Sequence, residues 1–151
     1  MRFRKMVPAD RPVVESLSVN EFQSAFVEPI SETLATTVSQ RENYVMDEEG
    51  RVVGFFQIDS TSGTQSVDNC LELHEFMIGR SHQGKGYGRR FAEALPEFLK
   101  SAYPTWTGVC LTVNCKNAAA KRLYELAGFV ETGNVKAEGG SGPQFIMCRV
   151  I

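Results

Sequence analysis

Only two histidines and one tryptophan occur in this 151-residue sequence, and none of its four cysteines forms a C-x-x-C pair. Without more histidines or tighter cysteine spacing, a structural or catalytic zinc site is not expected. Cys70, Cys110, Cys115 and Cys148 fall mostly in β-rich runs and read as buried, reduced thiols. No apolar run approaches the ~20 residues that span a bilayer, so no membrane helix is expected. The first residues, Met1 to Met6, are basic but no long apolar stretch follows. A secretory signal is therefore not expected, and a cytoplasmic location is. Strong charge is missing too. A formal net charge of −2 lacks the basic face of a nucleic-acid binder and leaves room for small cationic partners. Repeats, low-complexity tracts and long linkers are absent, so residues 1–151 are expected to form a single domain.

What is present reads as alternating elements. Phe3–Met6 has the pattern of a short strand. Asp10 stands where a helix N-cap belongs, with Pro12 in the first turn and Val13, Val14 and Leu17 expected inward. A second helical region, interrupted by Pro29, runs from about Glu21 to Val38, with Ser31 able to cap its second half. Tyr44–Met46 and Val52–Ile58 flank the acidic link from Asp47 to Arg51 and read as a hairpin. Cys70–Ile78 is the next strand. Phe91, Leu95, Phe98, Leu99 and Ala102 recur at helical spacing, with a kink expected at Pro96. Val109–Val113 is a strand and Ala118–Ala127 a helix, with Gly128 at its C-cap. Phe129–Thr132 returns to strand. The glycine-rich run from Glu138 to Pro143 reads as a loop before a last strand, Gln144–Ile151. This order predicts an α+β layer fold, a mixed and largely antiparallel central sheet flanked by helices.

The segment from Gln83 to Arg90, Q-G-K-G-Y-G-R-R, follows a predicted strand and opens a predicted helix. Glycines there let the backbone turn sharply and aim several N–H groups at one point. The helix N-terminus adds unpaired donors and partial positive charge, and Lys85, Arg89 and Arg90 add full charges. That is chemistry for a pyrophosphate. A P-loop spacing is absent, and the G-x-G-x-G order does not fit the dinucleotide fingerprint G-x-G-x-x-G.

The segment instead resembles the acyl-CoA signature [RQ]-x-x-G-x-[GA] of the GNAT superfamily of N-acetyltransferases, with Gln83, Gly86 and Gly88 at the fixed positions. Leu111 to Phe129 resembles that superfamily's second segment, a strand followed by N-x-x-A-x-x-x-Y and Gly-Phe. Asn117, Ala120 and Tyr124 match in register, followed by Gly128 and Phe129. Each has a plain structural reading beside the functional one. Asn117 suffices as an N-cap and Tyr124 as a core residue.

The resemblance implies a GNAT-like sheet with a splayed strand pair at the acetyl-CoA site and direct transfer of acetyl from acetyl-CoA to a primary amine. The amine must lose a proton to attack, and the departing thiolate gains from a proton donor. By resemblance, Tyr124 is that donor. Met77 and Ile78 hold the thioester and pantetheine by their backbone. Gln83, Gly84, Lys85, Gly86, Gly88 and Arg89 hold the pyrophosphate, and Asn117 touches the pantetheine arm. No metal is implied. For the base, Glu72, His74 and Glu75 share one predicted strand. Alternation puts Glu72 and His74 on one face and Glu75 on the other, unless a bulge shifts the phase. Glu72 is the first choice, directly or through water.

Val19, Gln23, Phe26 and Val27 fit the pattern V-x-x-x-Q-x-x-F-V, similar to bacterial diamine and polyamine acetyltransferases. Glu28, Glu32, Asp59, Glu72 and Glu75 would together attract a polycation. Another small amine or a protein amine remains open as acceptor. So does a non-catalytic acyl-CoA-binding or sensing module on the same fold. The resemblance also makes a homodimer plausible.

Overall fold

The computed structural model describes residues 1–17, 30–35, 39–61, 67–137 and 142–151. Among these, seven strands and four α-helices follow the predicted order. They are β1 (Arg2–Lys5), α1 (Arg11–Ser16), α2 (Ile30–Ala35), β2 (Arg41–Glu48), β3 (Arg51–Asp59) and β4 (Cys70–Ile78). After them come α3 (Tyr87–Ala102), β5 (Gly108–Asn114), α4 (Ala118–Leu126), β6 (Val130–Lys136) and β7 (Gln144–Val150). The strands hydrogen-bond in the order β1-β2-β3-β4-β5-β7-β6. β4 pairs with β5 in parallel; β1–β2, β2–β3, β5–β7 and β6–β7 are antiparallel. The expected mixed, largely antiparallel sheet is therefore present. By contact density the chain forms two compact units. No described helix is long and apolar enough to cross a membrane.

The first unit holds Met1–Asp59 and His74–Tyr87. The link between β2 and β3 is only the turn Glu49–Gly50, because the strands extend into the acidic stretch that sequence left as a connection. Val14, Ile30, Val45, Val52, Phe55 and Met77 form its core, with Met6, Leu17 and Leu34 packed against them. The guanidinium of Arg4 lies between Asp10 (2.7 and 2.9 Å) and Asp47 (2.9 Å), tying the start of α1 to β1 and β2. It holds both carboxyls below the usual carboxylate range.

Three expectations are corrected in this unit. Asp10 stands at the N-cap position but makes no side-chain cap bond, because Arg4 and the N–H of Val7 take its carboxylate. Val13 is 45% exposed while Val14 is fully buried, since a six-residue helix turns only a narrow stripe inward. Ser31 lies inside α2 and caps nothing at its start, because the helix already includes Ile30.

The second unit holds Ser60–Leu73 and Gly88–Ile151. Helix α3 buries Phe91, Ala92, Leu95 and Leu99 and continues through Pro96 without ending. A proline inside a helix costs about 3 kcal/mol. Each fully buried large apolar side chain returns roughly 1.5–3 kcal/mol, so three of them outweigh the break. In the sheet, Cys110 lies directly opposite Cys148 on the antiparallel pair β5–β7, and the two are joined as a disulfide. This corrects the reading of four reduced thiols. The cross-strand register that juxtaposes them, 38 residues apart, has no mark in local spacing. Cys70 and Cys115 are free.

Gly54 of β3 marks a close approach within the first unit. A Cβ there would stand 2.7 Å from the Met77 carbonyl and 2.6 Å from the Met46 sulfur. The methionine can move, but the backbone oxygen of β4 cannot without shifting the strand. Gly54→Ala is expected to lower unfolding free energy in urea by about 1–3 kcal/mol, the range for overpacking. An unchanged midpoint would show that β4 yields freely at Met77.

Candidate active site

In the first unit, β4 ends at Ile78 and a 3-10 turn, Arg80–His82, leads into the glycine-rich loop. The loop is anchored at its start. The Gln83 side-chain amide donates to the Ile78 carbonyl at 3.0 Å, and the N–H of Gly79 donates to the Val53 carbonyl at 3.0 Å. Gly84 and Gly86 then adopt φ of +72° and +80°. A Cβ at either would meet nothing within 4 Å, so glycine is required by the left-handed backbone and not by space. Among the described residues, the N–H groups of Gly84, Lys85 and Gly86 donate to no backbone carbonyl. The first turn of α3 follows at Tyr87, where four more N–H groups lack helical partners. Lys85 is exposed. This loop matches an anionic pyrophosphate in donor number, conformation and charge.

Met77 is buried in the same unit and Ile78 half-buried. Between them and Leu73 the strand changes character. The parallel register of β4 with β5 runs from Cys70–Gly108 to Leu73–Leu111 and stops there. Two residues later Glu75 has φ of +51°, a left-handed conformation that costs a non-glycine residue roughly 1–2 kcal/mol. The alternation of β4 therefore breaks at Glu75. The simple face assignment for Glu72, His74 and Glu75 does not hold across that point, because the left-handed step at Glu75 breaks the alternation.

In the second unit, Glu72 lies opposite Cys110 and is 5% exposed. It is not the solvated residue of a half-exposed strand. His74 and Glu75, on the first unit's part of β4, are half-buried. Helix α4 has both ends fixed. The Asn117 side-chain oxygen accepts from the N–H of Ala120 at 3.2 Å, the N-cap bond expected of it. At the other end Gly128 has φ of +84°, its N–H bonds the Glu125 carbonyl at 3.0 Å, and the Phe129 N–H bonds the Tyr124 carbonyl at 2.9 Å. These two bonds make a Schellman cap. Its apolar contact is the ring pair Tyr124–Phe129, edge to face with centroids 5.6 Å apart. Arg149 donates to the Ala127 carbonyl from β7 and closes the same end. The cap thus locks Tyr124, whose buried phenol is pushed well above its ordinary pKa by burial and stays protonated.

The chain matches the family model for the acetyltransferase (GNAT) domain over residues 11–142. It belongs to the GNAT acetyltransferase family. A Bacillus subtilis (strain 168) protein described as the uncharacterized N-acetyltransferase YbbJ is 28% identical over 146 residues, 93% of this chain and 91% of its own. Among solved structures, the Vibrio cholerae spermidine N-acetyltransferase, in complex with CoA and spermine, has TM-score 0.76 and 21% identity. That match covers 99% of this chain and 94% of the other. Aminoglycoside acetyltransferase AAC(6')-Ib with coenzyme A has TM-score 0.74 and 22% identity, over 98% and 93% of the two chains. At such identities the two structures show the fold that this N-acetyltransferase shares.

Several site expectations change once side chains are placed. Arg89 pairs with Glu93 at 2.8 Å on the exposed face of α3, so its charge is partly offset by an intrahelical partner. Gln83 uses its side chain to hold Ile78 and its backbone N–H to cap the 3-10 turn at the Arg80 carbonyl, 3.3 Å away, so it anchors the loop. Asp59 is 5% exposed and paired with Arg41 at 3.1 Å; it is not a free acidic charge for a polycation. Glu32 lies exposed on α2, while Glu28 and the stretch Val19–Val27 lie outside the described residues. Sequence reasoning missed the Gln83–Ile78 anchor and the left-handed Glu75, because neither leaves a composition signal.

His82, beside the loop, stacks edge to face with Tyr87 at 6.2 Å. Burial first, then Lys85 and Arg51, push its pKa below the ordinary imidazole value. The unfolded chain protonates near pH 6.5 while the folded imidazole stays neutral. Stability linked to His82 is therefore complete above about pH 6.5 and is lost as pH falls towards the folded pKa. An NMR titration of the imidazole is expected to give a midpoint below 6.5, and His82→Asn is expected to flatten that part of the stability profile. A midpoint at or above 6.5 would remove the effect.

Proposed function

We propose that this acetyltransferase moves acetyl from acetyl-CoA directly to a primary amine of a small molecule, with diamines and polyamines as the acceptor class. The glycine-rich loop with its left-handed Gly84 and Gly86 carries the reading, since it offers a dense row of N–H donors beside Lys85 at a helix start. On this reading the backbone of Gly84, Lys85, Gly86 and Gly88 holds the pyrophosphate, with Gln83 anchoring the loop and Lys85 and Arg89 adding charge. The backbone of Met77 and Ile78 flanks the pantetheine. The Vibrio cholerae relative by fold binds CoA and spermine, and the V-x-x-x-Q-x-x-F-V pattern points the same way.

Acetyl-CoA, when bound, supplies the activated thioester. The chain's own residues manage protons around it. The buried carboxylate of Glu72 accepts the proton that the ammonium must shed, directly or through water. Burial keeps the Tyr124 hydroxyl protonated at working pH, so it holds a proton ready for the departing sulfur. Both residues stand on the second unit, one on β4 and one on α4.

Thiol release from acetyl-CoA, measured against spermidine, spermine, putrescine, amino acids, an aminoglycoside and a lysine peptide, tests the acceptor. Turnover on the polyamines above all others is expected. Preferential turnover on another amine would keep the enzyme and discard the polyamine acceptor.

The residue roles are tested separately. Tyr124→Phe is expected to leave acetyl-CoA affinity unchanged and lower kcat by about a hundredfold, the lower end for a lost acid–base group. Glu72→Gln is expected to act on kcat in the same range. Unchanged turnover at saturating acceptor would remove the substituted residue from its role.

A further inference from the structure

A second concave site lies in the first unit, outside the glycine-rich loop. It is a pocket of about 590 Å³, within the usual range for small-molecule sites. Arg51 at the start of β3 and Arg80, Ser81 and His82 of the 3-10 turn line it, and Val13 and Val52 give it apolar wall. None of Gln83, Gly84, Lys85 or Gly86 lines it.

Its charge is one-sided. Among the described residues, no carboxylate lines it and neither guanidinium pairs with an acid. Most other arginines of this unit are matched: Arg4 by Asp10 and Asp47, Arg11 by Glu15, Arg41 by Asp59. The pKa of His82 is lowered chiefly by burial, and Lys85 and Arg51 lower it further.

We propose that this pocket binds a phosphate monoester, a small molecule distinct from the acyl donor. Its phosphoryl group meets Arg51, Arg80 and His82, and its apolar part lies on Val13 and Val52. The donor count favours phosphate over carboxylate. A carboxylate has two oxygens and one charge, which a single guanidinium satisfies bidentately. A phosphate monoester has three terminal oxygens and a charge of about −1.5 to −2 at neutral pH. Two guanidiniums, an imidazole and the Ser81 hydroxyl match that. The proposal is independent of which amine accepts the acetyl group.

Calorimetric titration of the full chain with phenyl phosphate at constant ionic strength, in parallel with inorganic phosphate and acetate, tests it. Saturable one-site binding of phenyl phosphate is expected, tighter than acetate. It should persist with CoA saturating the protein. Arg51→Gln and Arg80→Gln should each weaken it about tenfold, as for one lost charge-assisted bond, while CoA affinity stays unchanged. Absence of saturable binding would overturn the proposal, as would binding that both variants retain in full. A third outcome would also overturn it: CoA abolishing phenyl phosphate binding while dephospho-CoA, which lacks the ribose phosphate, does not. The pocket would then belong to the acyl donor.

Discussion

A strand needs partners for its N–H and C=O groups along both edges, and β4 keeps its parallel partner β5 only as far as Leu73. The rest of the molecule's chemistry is arranged around that stop. Before it, β4 is an ordinary parallel strand and buries Leu71, Glu72 and Leu73. After it, His74 through Ile78 have no ladder register on β5, and the backbone takes a left-handed step at Glu75. The step is unfavourable by roughly 1–2 kcal/mol. It re-aims the final residues, so β4 delivers Met77 to the first unit's core and the carbonyl of Ile78 to Gln83. A regular strand would keep its amides inside the sheet, where no ligand could use them.

Glycine placement converts that strand end into a binding loop. The Gln83–Ile78 bond sets where the loop begins, and the left-handed Gly84 and Gly86 set the direction of its N–H groups. In the second unit the same economy fixes Tyr124. An asparagine N-cap is worth about 1 kcal/mol, and the Schellman bonds at Gly128 place Tyr124 and Phe129 in contact. A phenol held by its own helix cap needs no extra element to position it. Burial, not a neighbouring charge, keeps its proton in place.

The most legible parts of the sequence were those whose signal is local. The loop glycines, the Asn117 cap, the Gly128 cap and the span of β4 all follow from residue types at fixed short offsets, and the structure has each of them. Helix α3 runs through Pro96 as its spacing predicts, because its buried stripe outweighs one missing hydrogen bond. What stayed hidden depends on register or on remote partners. Cys110 and Cys148 meet because β5 and β7 pair in one register out of several. Asp10 fails as a cap because Arg4, six residues away, takes its carboxylate first. The burial of Glu72 on β4 likewise depends on what packs over the strand.

Charge shows the same division between global and local. A formal net charge of −2 suggests a chain with carboxylates to spare for a cationic substrate. In the folded first unit those carboxylates are largely engaged: Asp10 and Asp47 hold Arg4, and Asp59 holds Arg41. Each such pair removes one charge of either sign from the field that a ligand meets. What remains unpaired among the described residues then decides recognition, and at the 3-10 turn after β4 the remainder is positive. A small net charge thus coexists with a cationic loop and a cationic pocket. Any preference for a cationic acceptor must come from acids whose charge no partner offsets, and Asp59, paired with Arg41, is not among them.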